Sequence, residues 1–208
     1  MRLSTEAKNR MLEALDESIA TGAKYASLHN GYHASGAGGT ELNGGAPAYA
    51  RVPVTWNPAS GGAKSTTGNM PFNVGAGSSV RFVGFWDAAT AGSFLGMSPN
   101  GGGMLQAFVV PDATADILEC VAHGFSIGDT VVPWQVPGDP LPAPLVEGNV
   151  YFIIATNFST DDLRLSLTSG GPPIDITTLG AGYLQRIVVE VFGSQGTHTV
   201  TAITMTMD

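Results

Sequence analysis

The chain has 208 residues and a net charge of −8, with only 9 Lys and Arg against 17 Asp and Glu. That balance excludes the clustered basic surface that nucleic-acid binding requires, and it speaks against docking on anionic lipid. Apolar residues make up 43% of the chain and charged residues only 12%, about half the roughly 25% of ordinary soluble proteins. A surface this poor in charge has to be covered by neutral polar groups or by other chains.

Residues 4–20 read as the one good helix. Ser4 or Thr5 serves as N-cap and Glu6 stands in the first turn, where the macrodipole favours an acid. Met11, Leu12, Leu15 and Ile19 recur at helical spacing as one apolar stripe, and Gly22 supplies the stop. From there the texture is β. A strand is predicted over residues 24–29, then a long Gly-rich loop over 30–45, then strands at 50–56, 70–74 and 80–86, with Gly61-Gly62 and residues 75–77 as turns. A short strand at 94–97 and another at 106–110 follow.

Residues 112–185 interrupt this pattern with short strands at 117–122, 130–136, 150–155, 163–167 and 174–177, and a Pro-rich link over 137–144. That spacing suits a small antiparallel barrel or sandwich. The first texture resumes at 186–192, and an alternating strand over 197–207 closes the chain. The fold class expected is therefore mainly β: an antiparallel β-sandwich with a short N-terminal helix and an inserted small β-barrel or sandwich module. The sandwich takes residues 1–111 and 186–208, and the insert takes 112–185. An insertion in a surface connection costs little, because loop-closure entropy grows only with the logarithm of length. A plain split near 112 would leave 186–208 as a lone hairpin, marginal in water.

No motif for catalysis, cofactor binding or metal binding emerges, and none of these sites is expected. The chain has no Walker loop and no Cys/His pairing. His29 and His33 lie in HNGYH, where Gly31 breaks any helix, and read as loop histidines. His123 reads as a turn cap, and His198 as a strand residue that pairs across strands or faces solvent. Asp161-Asp162 has half the carboxylates of a calcium site but reads as a solvated turn. GAGG at 36–39 and GAGSS at 75–79 resemble phosphate loops by composition alone. Cys120, the single cysteine, forms no internal disulfide and reads as a small buried hydrophobe. No apolar run approaches the roughly 18 residues of a membrane span. The charged, amphipathic N-terminus lacks the apolar core of a signal peptide, so synthesis in the cytoplasm is expected.

Trp56, Phe82, Phe85 and Trp86 sit on alternating strands and read as core. Trp134 and Tyr151, beside the Pro-rich link, read as exposed contact residues, since aromatic rings give rigid contact area at low entropic cost.

Three groups of residues carry a resemblance. The first is KYASLH at 24–29, the Gly-rich loop and AYAR at 48–51. The second is VTWN at 54–57, ASGGAK at 59–64 and VGFWDAA at 83–89. The third is GTHTVTA at 196–202. In this order they resemble minor tail and tail-fibre-like β-sandwich proteins of the tailed phages of actinobacteria. The insert, with HGFSIGD at 123–129, GNVY at 148–151 and LTSGG at 167–171, is similar to short β modules of phage tail proteins. The resemblance implies a structural, non-enzymatic virion component that acts in particle assembly and host-surface attachment. A capsid decoration protein and a carbohydrate-binding module for the host envelope are the alternatives, with a glycan hydrolase behind them. Its partners would be other virion proteins, sister copies in a trimer and a host cell-surface glycan, with neither nucleic acid nor membrane. The stripe of Met11, Leu12, Leu15 and Ile19 would anchor it to a neighbouring subunit.

Overall fold

The computed structural model describes residues 3–35, 40–136 and 138–206, which are mainly antiparallel β-structure. The Gly-rich stretch 36–39, Pro137 of the Pro-rich link and Met207 of the last predicted strand lie outside the described residues. In chain order, α1 (Thr5–Leu12) is followed by β1 (Tyr25–His29), β2 (Val52–Pro53), β3 (Ala63–Ser65), β4 (Met70–Val74), β5 (Ser79–Val80), β6 (Phe82–Trp86) and β7 (Phe94–Pro99). Next come β8 (Leu105–Val110), β9 (Leu118–Glu119), β10 (Thr130–Gln135), β11 (Tyr151–Ile154), β12 (Asp162–Ser166) and β13 (Gly180–Ile187). The chain ends with β14 (Glu190–Val191), β15 (Gly196–Val200) and β16 (Thr204–Thr206). It divides into two units, Met1–Ser98 with Glu190–Asp208, and Pro99–Val189.

The helix is shorter than its apolar stripe predicts. Ser4 caps it, its hydroxyl accepting from the Ala7 N–H at 3.2 Å. After Leu12 the chain makes a 3-10 turn over Glu13–Leu15 and stops. Asp16 is the cause. Its backbone is extended, and its Oδ1 accepts from both the Ser18 N–H and the Ser18 hydroxyl, at 3.0 and 2.7 Å. Such a local turn competes with helix propagation. Gly22 serves as a close contact, since a Cβ there would lie 1.8 Å from the Asp16 carbonyl oxygen.

Polar side chains pin this N-terminal segment to its own unit. Asn9 accepts from the Gly62 N–H at 2.8 Å, Glu13 from the Ala59 N–H at 2.6 Å, and Glu17 from the Trp56 N–H at 3.1 Å. The Lys64 side chain on β3 is wholly buried, and its ammonium donates to Glu13 at 2.5 Å and Asp16 at 3.2 Å. Burial alone would lower the Lys64 pKa, but the two carboxylates outweigh it and hold the group above the ordinary lysine value. Glu13 is held below its ordinary value by Lys64 and by the Ala59 N–H, and Asp16 by Ser18 and then Lys64.

In the first unit, strands order as β2-β1-β6-β7, with β5 paired to β14, β4 to β15 and β3 to β16. The core gathers Ala26 and Leu28 of β1, Val83 and Phe85 of β6, Met70, Phe72 and Val74 of β4, and Trp56. Trp56, Phe82, Phe85 and Trp86 are all buried; Phe85 and Trp86 are adjacent and point to opposite faces of β6, both of which are covered. The closing strand is two strands, β15 and β16, with a break at 201–203.

The second unit is a closed barrel in the order β10-β11-β12-β9-β8-β13. Its interior holds Phe108, Leu118, Cys120, Val131, Ile153, Leu163, Leu165 and Leu184. β8 and β13 pair along their length, so the strands at 105–110 and 180–187 both belong to the barrel, and the units meet in sequence at Ser98/Pro99 and Val189/Glu190. The two ends of the barrel segment are tied together: Val188 N–H donates to the Asn100 carbonyl at 2.8 Å, and Asn100 Nδ2 donates to the Val188 carbonyl at 3.0 Å. Residues 174–177 form no ladder. Their N–H groups go separately to Leu165 O, Asp116 Oδ1 and Ala143 O, while Ile176 fills the core.

Lys64→Met is expected to destabilise the first unit by about 2 kcal/mol, because it strips two carboxylates of their buried partner. Carboxylates whose folded pKa is depressed contribute stability above their ordinary values, 4.5 for Glu13 and 3.8 for Asp16, and lose it as pH falls through the lower folded values. Urea unfolding at pH 7 and at pH 3 checks both points: the difference between wild type and variant should shrink in acid.

Candidate interaction surface

The residues that carry potential chemistry are mostly turned inward. Ser27 and His29 on β1 are both fully buried, with Ser27 Oγ 2.7 Å from His29 Nε2. Trp86 Nε1–H donates to Ser27 Oγ at 2.8 Å, and His29 Nδ1 lies 3.0 Å from Thr40 Oγ1. His29 is thus a strand residue in a closed chain of hydrogen bonds, not a loop histidine. Burial lowers its pKa from 6.5 to about 4, with smaller opposing effects from Glu41 and Arg51. Gly84 on the neighbouring β6 has to lack a side chain: a Cβ there would stand 2.6 Å from both His29 Nε2 and Ser27 Oγ. A serine and a histidine in contact resemble a nucleophile and its base, but this pair has no exposed surface.

Next to it, Arg51 donates through Nε and Nη2 to Glu41 at 2.9 and 2.8 Å, and through Nη1 to the carbonyls of Ala88 and Ala91. Its guanidinium lies 3.6 Å from the centre of the Trp86 ring. The Tyr49 hydroxyl accepts from the Leu28 N–H at 2.8 Å, and burial pushes its pKa up.

His123 is buried in the second unit. Its Nδ1 accepts from the Phe125 N–H at 3.0 Å, which leaves Nε2 as the donor to the Ser159 carbonyl at 3.0 Å. That fixes the neutral tautomer and makes His123 the turn cap its sequence predicts. His198 is buried too, with Nδ1 2.6 Å from Glu190 Oε2. Asp161 accepts from the Ala122 N–H, and Asp162 lies in a turn held by Ser159. Among the described residues, no three His, Cys, Asp or Glu side chains come together as a metal-binding group. Burial pushes the Cys120 thiol up to about 11.

The two aromatic residues predicted as contacts part company. Tyr151 is buried in the barrel core, where its hydroxyl accepts from the Val146 N–H at 3.0 Å, so it offers no contact surface. The alternation of β11 puts it on the inner face. Trp134 is partly exposed on the outer face of β10 and donates through Nε1 to Gln185 Oε1 at 2.9 Å. Directly across the ladder from it stands Tyr183 of β13, and across from Tyr183 stands Ala107 of β8. The next row is Val132, Gln185 and Leu105, and Ala181 faces Val109 beyond. Leu105 is 51% exposed, Val109 44% and Tyr183 38%. This outer face carries no charged side chain; Glu119 bounds it beside Val109.

Sequence reasoning missed Tyr183, Leu105 and Val109. Gly180 and Gly182 look like strand breakers, yet they are packing glycines. A Cβ on Gly182 would meet Leu141 Cδ2 at 2.7 Å and Phe108 Cε1 at 2.8 Å. The usable signal is the alternation of LQAFVV at 105–110, whose odd positions face out. Elsewhere on this unit, a cavity of about 600 Å3 is lined by Pro144, Leu167, Pro173, Ile174 and Asp175 among others.

In the predicted anchor stripe, Leu12 is buried within its own subunit, Leu15 is half-buried, and Met11 and Ile19 are exposed at 53% and 38%.

The fold and this surface define an antiparallel β protein with a barrel inserted in its first unit and an uncharged outer barrel face. Residues 2–100 match the family model described as podophage GP4 fiber I protein gp80. The match takes in 99 of the 208 residues and ends where the barrel unit begins. Over that segment the chain is similar to a phage fibre family, in line with the tail-fibre side of the resemblance; the match carries nothing about actinobacterial hosts. No curated protein and no solved structure matches the chain.

Because the folded pKa of His29 lies below its ordinary value, the unfolded chain binds the extra proton between the two. Stability is therefore expected to fall as pH drops from 6.5 towards 4, by about 3 kcal/mol if His29 acts alone. A pH series of urea midpoints checks this, with His29→Gln flattening the slope in that window.

Proposed function

We propose that the chain is a structural, non-enzymatic component of a tailed-phage particle, a minor tail or tail-fibre-like subunit that acts in assembly and host-surface attachment. The likeness of residues 2–100 to a podophage fibre family is the observation that carries this reading. The low charge of the chain supports it, as does the use of its few cations inside the fold. Lys64, Arg51 and Arg186 are each paired with carboxylates. Exposed apolar and neutral side chains, those of Met11, Ile19 and the outer barrel face among them, supply the chemistry of packing against other virion proteins.

In this reading the chain is made in the host cytoplasm, ends in the virion and assembles as a homotrimer. Met11 and Ile19 are the part of the N-terminal stripe that meets a neighbouring subunit, because Leu12 already packs within its own. Gold labelling and electron microscopy of intact particles test the reading. Label on the tail or its fibres supports it, label on the head surface moves it to capsid decoration, and absence from purified particles overturns it.

The double variant Met11→Glu, Ile19→Glu should keep the wild-type unfolding midpoint within about 0.5 kcal/mol, since both side chains are exposed. It should lower the mass of the assembled species measured by light scattering. An unchanged mass removes the anchor role.

A further inference from the structure

We infer that the outer face of β8, β13 and β10 is a binding site for a neutral oligosaccharide. The inference rests on the fibre reading for its setting, the attachment step, but its argument is local to the barrel. Three observations carry it.

The first is the aromatic pair. Trp134 and Tyr183 are directly opposed on adjacent strands. Both side chains point outward, because Val131 and Leu184, the neighbours of alternate parity, fill the core. The indole is tethered to Gln185 Oε1 at 2.9 Å, so its orientation is set before any ligand arrives. A sugar ring offers one face of C–H groups and a rim of hydroxyls. Aromatic rings take the first, and the Gln185 carboxamide and Tyr183 hydroxyl, both with donor and acceptor atoms, take the second.

The second is charge. No side chain in these rows is charged, and the carboxylate of Glu119 stands across the ladder from Val109. Another carboxylate, Glu147, accepts from the Gln135 N–H at 3.2 Å, next to Trp134 in the chain. Two acidic groups at the rim of an uncharged face, on a chain of net charge −8, repel a uronate or a sialylated chain and leave a neutral one.

The third is size. A specific protein interface engages roughly 20–30 residues a side. The seven residues that this face presents, Val132 of the same rows being buried, fall well short of that, which argues against a second copy as the occupant. The barrel is closed, so it has no strand edge to widen the contact by pairing.

The experiment is a titration of the full chain with neutral oligosaccharides (malto-, cello-, manno- and galacto-hexaose), with oligogalacturonate as the anionic control. It is followed by tryptophan emission. Trp56 and Trp86 are 5% and 7% exposed, so a change on binding reports Trp134. At least one neutral sugar is expected to bind in the millimolar range and the anionic one not at all. Tyr183→Ala and Trp134→Ala should each weaken that binding about tenfold or more, by saturation-transfer NMR where the indole is gone. Leu167→Ala, exposed on the same unit but off this face, should leave it unchanged.

Should Trp134→Ala unfold, Tyr183→Ala decides alone. The inference is overturned if no neutral sugar binds, or if binding survives Tyr183→Ala in a folded protein. It is also overturned if that variant instead dissociates an oligomer, which would make a sister copy the occupant. None of these outcomes touches the position of the chain in the particle, which the labelling experiment reads separately.

Discussion

Strands β1 and β6 have almost no face turned to water. In β6 all five residues are buried, and in β1 four of five. One face of the pair builds the apolar core with Leu28 and Phe85, and the other carries Ser27, His29 and Trp86. Polar groups in such a place cost several kcal/mol if left without partners. The hydrogen-bond chain from Trp86 through Ser27 and His29 to Thr40 meets that demand, and the Glu41, Arg51 and Tyr49 cluster meets it for the backbone beside it. Thr40 and Glu41 return to His29, and Glu41 closes a bridge with it. Burial in the same place disfavours the charged imidazolium and keeps His29 neutral at pH 7.

The same economy of charge governs the N-terminal segment. Lys64 is buried under Glu13 and Asp16, and the remaining acceptors of the segment bind backbone N–H groups of residues 56–62. An amphipathic helix would ordinarily dock through its apolar stripe. Here the docking side is largely polar and geometrically specific, and only Leu12 is buried. Two of the four stripe residues, Met11 and Ile19, are thereby left at the surface.

The strands legible from the sequence are the β-rich runs bounded by unambiguous turns: β1, β4, β6, β10, β11 and β12 stand within a residue or two of their predicted places. The composite plan of a sandwich-like unit interrupted by a barrel was also legible, because the texture of 112–185 breaks and then resumes. Its exact seams were not. β13 begins with GAG, and glycine reads as punctuation until one knows that Phe108 and Leu141 occupy the space where a Cβ would go. Without β13 its partner β8 has no place in the barrel, and the sequence alone puts that strand in the first unit. Tyr151 shows a similar limit. Its proximity to the Pro-rich link suggests exposure, but Ile153, two residues on and on the same face, fills the barrel core and fixes the inward parity of Tyr151. Lys64 carried no signal at all, since a lone lysine near two glycines looks like a solvated turn until its carboxylate partners are found about 50 residues upstream in the chain.

A chain with this charge balance meets its neighbours under particular constraints. Copies carrying −8 each repel one another, but screening confines that repulsion to about 8 Å at physiological salt. Any contact between copies would therefore depend on short-range apolar packing made after encounter, not on electrostatic steering. The faces available for it here are small, and a face of a few residues binds weakly by itself. Weak binding is adequate where several copies are held together, because each further contact becomes intramolecular and the effective concentration rises. The closed barrel suits such a role physically. It presents a rigid face whose aromatic pair is set by ladder register and by the Gln185 hydrogen bond, so repeated copies offer the same geometry with little ordering cost at each contact.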